Sequence, residues 1–268
     1  MKNLVGKVAF VTGAANGIGF ALARRFASEG MNVALADVNT EDLSQACSSL
    51  EGHGAAVIGV PCDVTSEGSV RKAVDETIDR FGHIHVLCNN AGVSRAGLVE
   101  EIPYADWEWV LGVNLMGTIH GLRCALPHMK AHRQGGHIVN TASMAGLIGS
   151  AYSGPYCASK FAVVGLSEVL KEELEAAEIG VTVVCPSWVR TKILTAGRNR
   201  PERFGGPLSP NAVGRGSRVV NEVENGLDPG QIADLVLDAI NRNQLYVLTH
   251  ANRVEDFRQR VSSILQCT

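Results

Sequence analysis

Val8-Ala9-Phe10-Val11-Thr12 runs directly into Gly13-Ala14-Ala15-Asn16-Gly17-Ile18-Gly19 and then into the helix-like segment Phe20–Glu29. The first five residues form a short apolar run of the kind shown by a strand buried on both faces. A glycine turn between such a strand and a helix is the arrangement that holds a phosphate. Glycine lets the backbone approach a pyrophosphate closely, and the N–H groups at the helix start, with the positive end of its dipole, attract the anion. Gly13, Asn16, Gly17, Ile18 and Gly19 are therefore candidate cofactor contacts. The other reading is an ordinary glycine-rich turn; its place between strand and helix favours the dinucleotide.

Working outward, Asn32–Asp37 reads as the next strand, and its terminal Asp37 lies 18 residues beyond Gly19. An acidic residue at about this distance, roughly 20, accepts hydrogen bonds from an adenosine ribose and repels a 2′-phosphate, which favours NAD over NADP. Asn16 is neutral where a phosphate-selecting site would profit from a basic side chain. Asp37 could instead cap the helix that begins near Thr40.

The alternation continues with a helix near Thr40–Leu50, a strand Ala55–Val60, the pair Asp63-Val64, a helix Ser66–Phe81 and a strand Val86–Asn89. Alternating strands and helices imply right-handed crossovers and an α/β fold with a parallel sheet. Asn89-Asn90-Ala91-Gly92 follows a strand end, where ligands gather in open α/β sheets, so Asn90 and Gly92 join the candidate contacts. A long helical region from Tyr104 to Ala131 contains Asn114 between Val113 and Leu115. A buried amide there marks either a structural hydrogen-bond hub or a bound water. His137–Ser143 reads as a further strand that ends in a hydroxyl, Gly154–Glu178 as a helix and Val181–Cys185 as a strand. Pro186-Ser187-Trp188-Val189-Arg190-Thr191 opens a loop.

From 192 to 226 the apolar periodicity fails, and Gly197, Pro201, Gly205-Gly206-Pro207, Pro210, Gly214 and Gly216 punctuate the chain. So long a loop inside a compact domain is usually functional or mobile. Asp228-Pro229-Gly230-Gln231 then gives a helix start with an N-cap, a first-position proline and a glutamine three after the cap. That helix is expected to reach Asn241, followed by a strand Leu245–Leu248 and a terminal helix Val254–Leu265. The whole, residues 1–268, reads as one domain.

Composition excludes several classes. The chain is 46% hydrophobic and 5% aromatic with 29 glycines, which suits buried strands joined by tight turns. A net charge of −3 gives no global attraction to nucleic acid or anionic lipid. The start lacks the apolar run of a secretory signal, and no apolar stretch reaches bilayer-spanning length, so the expectation is a cytoplasmic protein with neither nucleic acid nor membrane as partner. Seven scattered cysteines, none in Cys-x-x-Cys spacing, indicate neither a disulfide framework nor a metal site. Cys157 beside Tyr156 points in a different direction from it. His83 and His85 lack further ligands at metal spacing and read as a surface or loop pair.

Tyr156 and Lys160 stand four residues apart in the Gly154–Glu178 helix and so share a face. A lysine beside a tyrosine favours the phenolate and is expected to move its titration down toward neutrality, making a general acid/base.

Thr12 to Gly19, Asp63-Val64, Asn89-Asn90-Ala91-Gly92, Asn114, Ser143 and Tyr156 with Lys160 together resemble the short-chain dehydrogenase/reductase family in its short, single-domain form. The resemblance covers the chain outside 192–226. It implies a Rossmann-like doubly wound parallel sheet of about seven strands with helices on both faces. It further implies that Tyr156 exchanges a proton with the substrate oxygen while hydride moves between the carbinol carbon and nicotinamide. Lys160 would lower the tyrosine's pKa and bond the nicotinamide ribose, Ser143 would polarise the substrate oxygen, and Asn114 would hold a water connecting Lys160 to solvent. Asp63 and Val64 would contact adenine, Asn90 the adenosine side, and Pro186 and Thr191 the nicotinamide side.

The implied activity is that of an NAD-dependent alcohol dehydrogenase or carbonyl reductase. Its alternatives are an NADPH-driven biosynthetic ketoreductase and a catalytically silent dinucleotide sensor. A homo-oligomer, tetramer or dimer, built on the helices of Asn114 and Tyr156 is also implied. The chain departs from the family where Pro186-Ser187 replaces Pro-Gly and where His85 replaces an acidic residue. From Gly154 to Tyr246, including the long insert, it is loosely similar to members acting on bulky aromatic or alicyclic secondary alcohols, such as the lignin-fragment Cα-dehydrogenases. The 192–226 insert is expected to close over such a substrate, with Met144, Leu147, Trp188 and Phe204 either as apolar walls or as ordinary core.

Overall fold

The computed structural model describes residues 3–50, 56–208 and 218–267. Strand and helix alternate through β1 (Val8–Thr12), α1 (Gly17–Ser28), β2 (Asn32–Asp37), α2 (Thr40–Leu50), β3 (Val57–Pro61), α3 (Glu67–Phe81) and β4 (Val86–Asn89). There follow α4 (Tyr104–Leu111), α5 (Gly117–Ala131), β5 (Gly136–Thr141), α6 (Gly154–Glu173) and β6 (Ile179–Cys185). The chain closes with α7 (Arg218–Glu224), α8 (Pro229–Arg242), β7 (Tyr246–Leu248) and α9 (Ala251–Leu265).

The strands form one sheet of seven in the order β3-β2-β1-β4-β5-β6-β7, and every described pairing is parallel. Strand pleating sends alternate residues to opposite faces, which is why the strands are apolar throughout. Ala9 and Val11 meet Leu22 and Phe26 of α1 and Ile232 and Val236 of α8 on one face. Phe10 meets Val70 and Val74 of α3 and Leu122 and Ala125 of α5 on the other. The Rossmann-like doubly wound sheet implied by the motifs is the fold observed.

Several boundaries move for physical reasons. The expected Tyr104–Ala131 helix is interrupted by a π turn at Gly112–Met116, which separates α4 from α5. The expected Gly154–Glu178 helix ends at Glu173, and Glu178 turns the chain into β6 from the left-handed region, φ 55°. Strand β5 stops at Thr141, so Ser143 begins a short 3-10 turn at Met144–Gly146. The capping box at Asp228 is present, with Asp228 and Gln231 bonding each other's backbone N–H. The 192–226 segment is not structureless: it holds 3-10 turns at Ile193–Asn199 and Glu202–Phe204, and then α7. Ala55, Pro210, Gly214 and Gly216 lie outside the described residues.

His85 corrects the expectation of a surface or loop pair. His83 is exposed, but His85 is buried, its Nδ1 accepting from the Val8 N–H at 3.1 Å and its Nε2 3.0 Å from Gln134 Oε1. Cys62, Cys88, Cys124, Cys157 and Cys185 are buried free thiols. No helix among the described residues is long and apolar enough to cross a membrane.

Candidate active site

Strand order reverses between β1 and β4, so the connections leaving their C-terminal ends diverge and open a crevice. Thr12 and Asn90 stitch that crevice together. The Thr12 hydroxyl donates to the Cys88 carbonyl at 3.2 Å and accepts from the N–H groups of Asn90 and Ala91 at 3.0 and 3.1 Å. The Asn90 amide donates to the carbonyls of Thr12 and Gly13 at 2.9 and 3.2 Å, and accepts from the Thr141 hydroxyl at 3.3 Å.

The turn that follows has no room for a side chain at Gly13 or Gly19. Gly13 sits at φ +63°, and a Cβ there would meet Ala91 Cα at 2.8 Å; a Cβ at Gly19 would lie 2.2 Å from the Gly13 carbonyl oxygen. Asn16 is the extended N-cap of α1 yet makes no side-chain capping bond, which leaves the helix-start donors to an anion. Asp37 Oδ2 accepts from the Ala15 N–H at 3.0 Å, tying the end of β2 to the turn. Its Oδ1 accepts from the Asn39 N–H at 3.0 Å. Asn39, not Asp37, caps α2, accepting from the Asp42 N–H at 3.0 Å. This cradle and its carboxylate fit a dinucleotide. Val64 is buried beside the same edge, but both Asp63 oxygens are engaged within the chain. Oδ1 accepts from the Thr65 N–H and hydroxyl at 3.0 and 2.6 Å, and Oδ2 meets Arg203 at 2.8 Å.

Ser143, Tyr156 and Lys160 meet at the neighbouring end of β5. Lys160 Nζ donates to the Thr141 carbonyl at 2.7 Å and lies 5.6 Å from the centre of the Tyr156 ring. The Ser143 hydroxyl accepts from the Ala145 N–H, donates to the Pro186 carbonyl at 3.1 Å, and is in hydrogen-bonding reach of the Tyr156 phenol. Burial pushes that phenol above its ordinary range, against the Ser143 hydrogen bond. Burial also pushes Lys160 down to about 8. For Tyr156 this is opposite to the direction expected from the lysine's spacing, and the cause is the burial of the phenol.

Asn114 is a hub, seated on the π turn. Its amide donates to the Val93 carbonyl at 3.0 Å and the Ser159 hydroxyl at 2.9 Å, while its oxygen accepts from the Val93 N–H at 2.9 Å. Gly92 is where it converges with the lysine, since a Cβ there would be 3.6 Å from both Asn114 Oδ1 and Lys160 Nζ.

Ser187 is absent from the positive-φ residues, so a Cβ in place of the family's glycine brings no strain. His250, which the sequence did not single out, fixes this loop: its Nδ1 accepts from the Ser187 N–H at 3.3 Å and its Nε2 is 3.1 Å from the Trp188 carbonyl. Thr191 lays its methyl over the glycine turn, 3.1 Å from where a Gly17 Cβ would sit.

Of the four proposed apolar walls, Met144 and Leu147 belong to a buried cluster with Val163 and Val183, and Phe204 packs elsewhere, over Gly112. Only Trp188 is exposed. For the other three, the structure supports the core reading.

The segment 192–208 crosses the crevice from the end of β6 to the far side of β1. Lys192 Nζ and Arg198 Nη2 reach Asp42 Oδ2 at 3.4 and 3.1 Å, and Arg203 pairs with Asp63 at 2.8 Å. Arg200 then turns back to buried Asp106 on α4 at 2.7 Å, whose other oxygen holds Arg95, also at 2.7 Å.

A family model described as short chain dehydrogenase matches residues 7–202. The chain is 35% identical to a CLA biosynthesis dehydrogenase/reductase of Lactiplantibacillus plantarum, over 99% of this chain and 95% of that one. It is 34% identical to a C alpha-dehydrogenase of Sphingobium sp. (strain NBRC 103272 / SYK-6), over 99% and 87%. Among solved structures, a short chain dehydrogenase/reductase from Burkholderia phymatum in complex with NAD superposes with a TM-score of 0.93 at 39% identity, covering 99% of this chain and 96% of that one.

Proposed function

Because the chain belongs to the short-chain dehydrogenase family of oxidoreductases, we propose that it moves a hydride between a secondary alcohol and NAD, reversibly giving the ketone. The observation that carries this reading is the convergence of Ser143, Tyr156 and Lys160 beside the glycine cradle, at one edge of the sheet. Tyr156 takes the hydroxyl proton during oxidation and returns it during reduction, and Ser143 holds the same substrate oxygen. Lys160, held on the Thr141 carbonyl and 5.6 Å from the centre of the Tyr156 ring, would bond a ribose and stabilise the phenolate. Asn114 positions Lys160's surroundings through Val93 and Ser159.

Gly13, Asn16, Gly17, Ile18 and Gly19 would hold the pyrophosphate, Asp37 the ribose hydroxyls, and Asp63, Val64 and Asn90 the adenosine side. Gly92, Pro186 and Thr191 would line the nicotinamide side. NAD, when bound, supplies the hydride acceptor. Asp37 supports NAD over NADP through repulsion of a 2′-phosphate, and the NAD complex of the Burkholderia phymatum protein agrees. The loose resemblance to lignin-fragment Cα-dehydrogenases supports a bulky aromatic or alicyclic alcohol as substrate, and the identity to a Sphingobium C alpha-dehydrogenase is consistent with it. We also propose a cytoplasmic homo-oligomer, dimer or tetramer, in which the exposed Met116 on the π turn and Val169 on α6 are covered.

The test is a screen of secondary alcohols of graded size with NAD and NADP, following reduced-nicotinamide absorbance, alongside a fluorescence titration of dinucleotide binding. Turnover of bulky secondary alcohols with NAD is expected. Tight dinucleotide binding with no turnover of any alcohol or ketone would favour the silent sensor instead.

A further inference from the structure

Asp37 has a neighbour of the same charge. The Asn39 N–H bonds Asp37 Oδ1 and the Asp42 N–H bonds Asn39 Oδ1, both at 3.0 Å, so two hydrogen bonds through Asn39 link the Asp42 backbone to the carboxylate assigned to the ribose. Asp42 in turn holds two cations of the crossing segment, Lys192 and Arg198, on a single oxygen. Asn199, between Arg198 and Arg200 in sequence, accepts from the Asn39 amide at 3.4 Å, which keeps the segment against this edge.

Without a counter-charge, a lysine and an arginine here would form a ready receptor for a phosphate on the adenosine ribose. Asp42 and Asp37 set two carboxylates beside the two cations. Neutralising Asp42 alone tips that balance to a net positive edge. Lys192 is half exposed and Arg198 about a third; Arg198 keeps its Nη1 on the Thr195 carbonyl and hydroxyl, both at 3.1 Å, and gives its Nη2 to Asp42.

We propose that Asp42 is a specificity-determining residue beside Asp37: it occupies Lys192 and Arg198 and thereby withholds them from the 2′-phosphate of NADP. This rests on the NAD reading given above. Two requirements then act together at one edge. Asp37 repels the extra phosphate, and Asp42 silences the cations that would attract it.

The experiment compares kcat/KM for NAD and NADP in the wild type, Asp42→Asn, Asp42→Ser, Glu41→Gln and D42N/R198M at low ionic strength. Calorimetric affinities for adenosine 2′,5′-bisphosphate and 5′-AMP give the same contrast without turnover. Asp42→Asn and Asp42→Ser are expected to raise the NADP/NAD ratio and the relative affinity for the bisphosphate by about tenfold or more, an effect that shrinks at high salt. Glu41, exposed on the next residue, controls for loss of one negative charge and is expected to leave both ratios unchanged. In D42N/R198M the gain is expected to fall away.

An unchanged ratio in both Asp42 variants, an equal rise in Glu41→Gln, or a gain that survives R198M would each overturn the proposal. A wild type that prefers NADP would instead overturn the NAD reading on which it rests.

Discussion

Lys160 Nζ donates to the carbonyl oxygen of Thr141 at 2.7 Å, joining the first turns of α6 to the last residue of β5. Burial keeps the amine out of water, which is why its pKa falls to about 8. A buried lysine whose folded pKa is below its unfolded value costs stability fully at pH below about 8. The cost is relieved as pH rises toward the ordinary lysine value of 10.5, because the unfolded chain then holds the extra proton. The difference in urea-unfolding free energy between wild type and Lys160→Met is expected to move in favour of wild type between pH 8 and 10. A difference that stays flat with pH would reject the burial argument.

Tyr156→Phe removes the only proton that the phenol exchanges and keeps its packing. Turnover is expected to fall by about two to four orders of magnitude with the dinucleotide dissociation constant within about threefold. Because burial pushes the phenol up, wild-type alcohol oxidation is expected to rise with pH as the phenolate forms, while ketone reduction falls. Initial rates in both directions across pH check both statements.

Asp106 lies buried between Arg95 and Arg200. Asp106→Ala leaves the Arg200 guanidinium, itself 7% exposed, without its counter-ion, at a cost of about 3 kcal/mol. Thermal unfolding should register this as a fall of several degrees, whereas Glu222→Gln, at a pair whose arginine is 92% exposed, should change nothing measurable.

Gly19→Ala places a Cβ against the Gly13 carbonyl at 2.2 Å, so one side of the cradle must shift. Dinucleotide affinity is expected to drop by at least about tenfold, with circular dichroism close to wild type. Retained affinity would mean that the turn is an ordinary one.

His85 carries an acid sensitivity. Burial, with Lys7, His132 and His83 nearby, holds its pKa down at about 4, below the ordinary 6.5, despite a hydrogen bond to Gln134 that favours the charged form. Between those values the unfolded chain binds the extra proton, so stability is lost as pH falls from 6.5 to 4. His85→Asn is expected to flatten that part of the Tm-against-pH curve, and an unaltered slope would place the acid lability elsewhere, for instance at buried His137.

What the sequence made legible was local. The strand, glycine turn and helix at Val8–Glu29, the acidic end of β2 and the capping box at Asp228 each lie within a few residues, and each was found where the pattern put it. The path of the crossing segment was not legible, because Arg203 meets Asp63 across 140 positions and Arg198 meets Asp42 across 156. Such pairings follow from the strand order, which periodicity does not encode. The environment of His85 and the titration of Tyr156 were not legible for a related reason: both turn on burial, a property of the assembled molecule.

The π turn at Gly112–Met116 stores information as a length. Each α-helical residue advances the chain by about 100°, so one surplus residue swings everything before it relative to everything after it. Deleting a single residue there would give a more regular helix from Tyr104 to Ala131. It would also turn Asn114 out of phase with Val93 and Ser159, or α4 out of phase with Asp106's two arginines. The most regular helix and the working crevice are therefore different molecules, one residue apart.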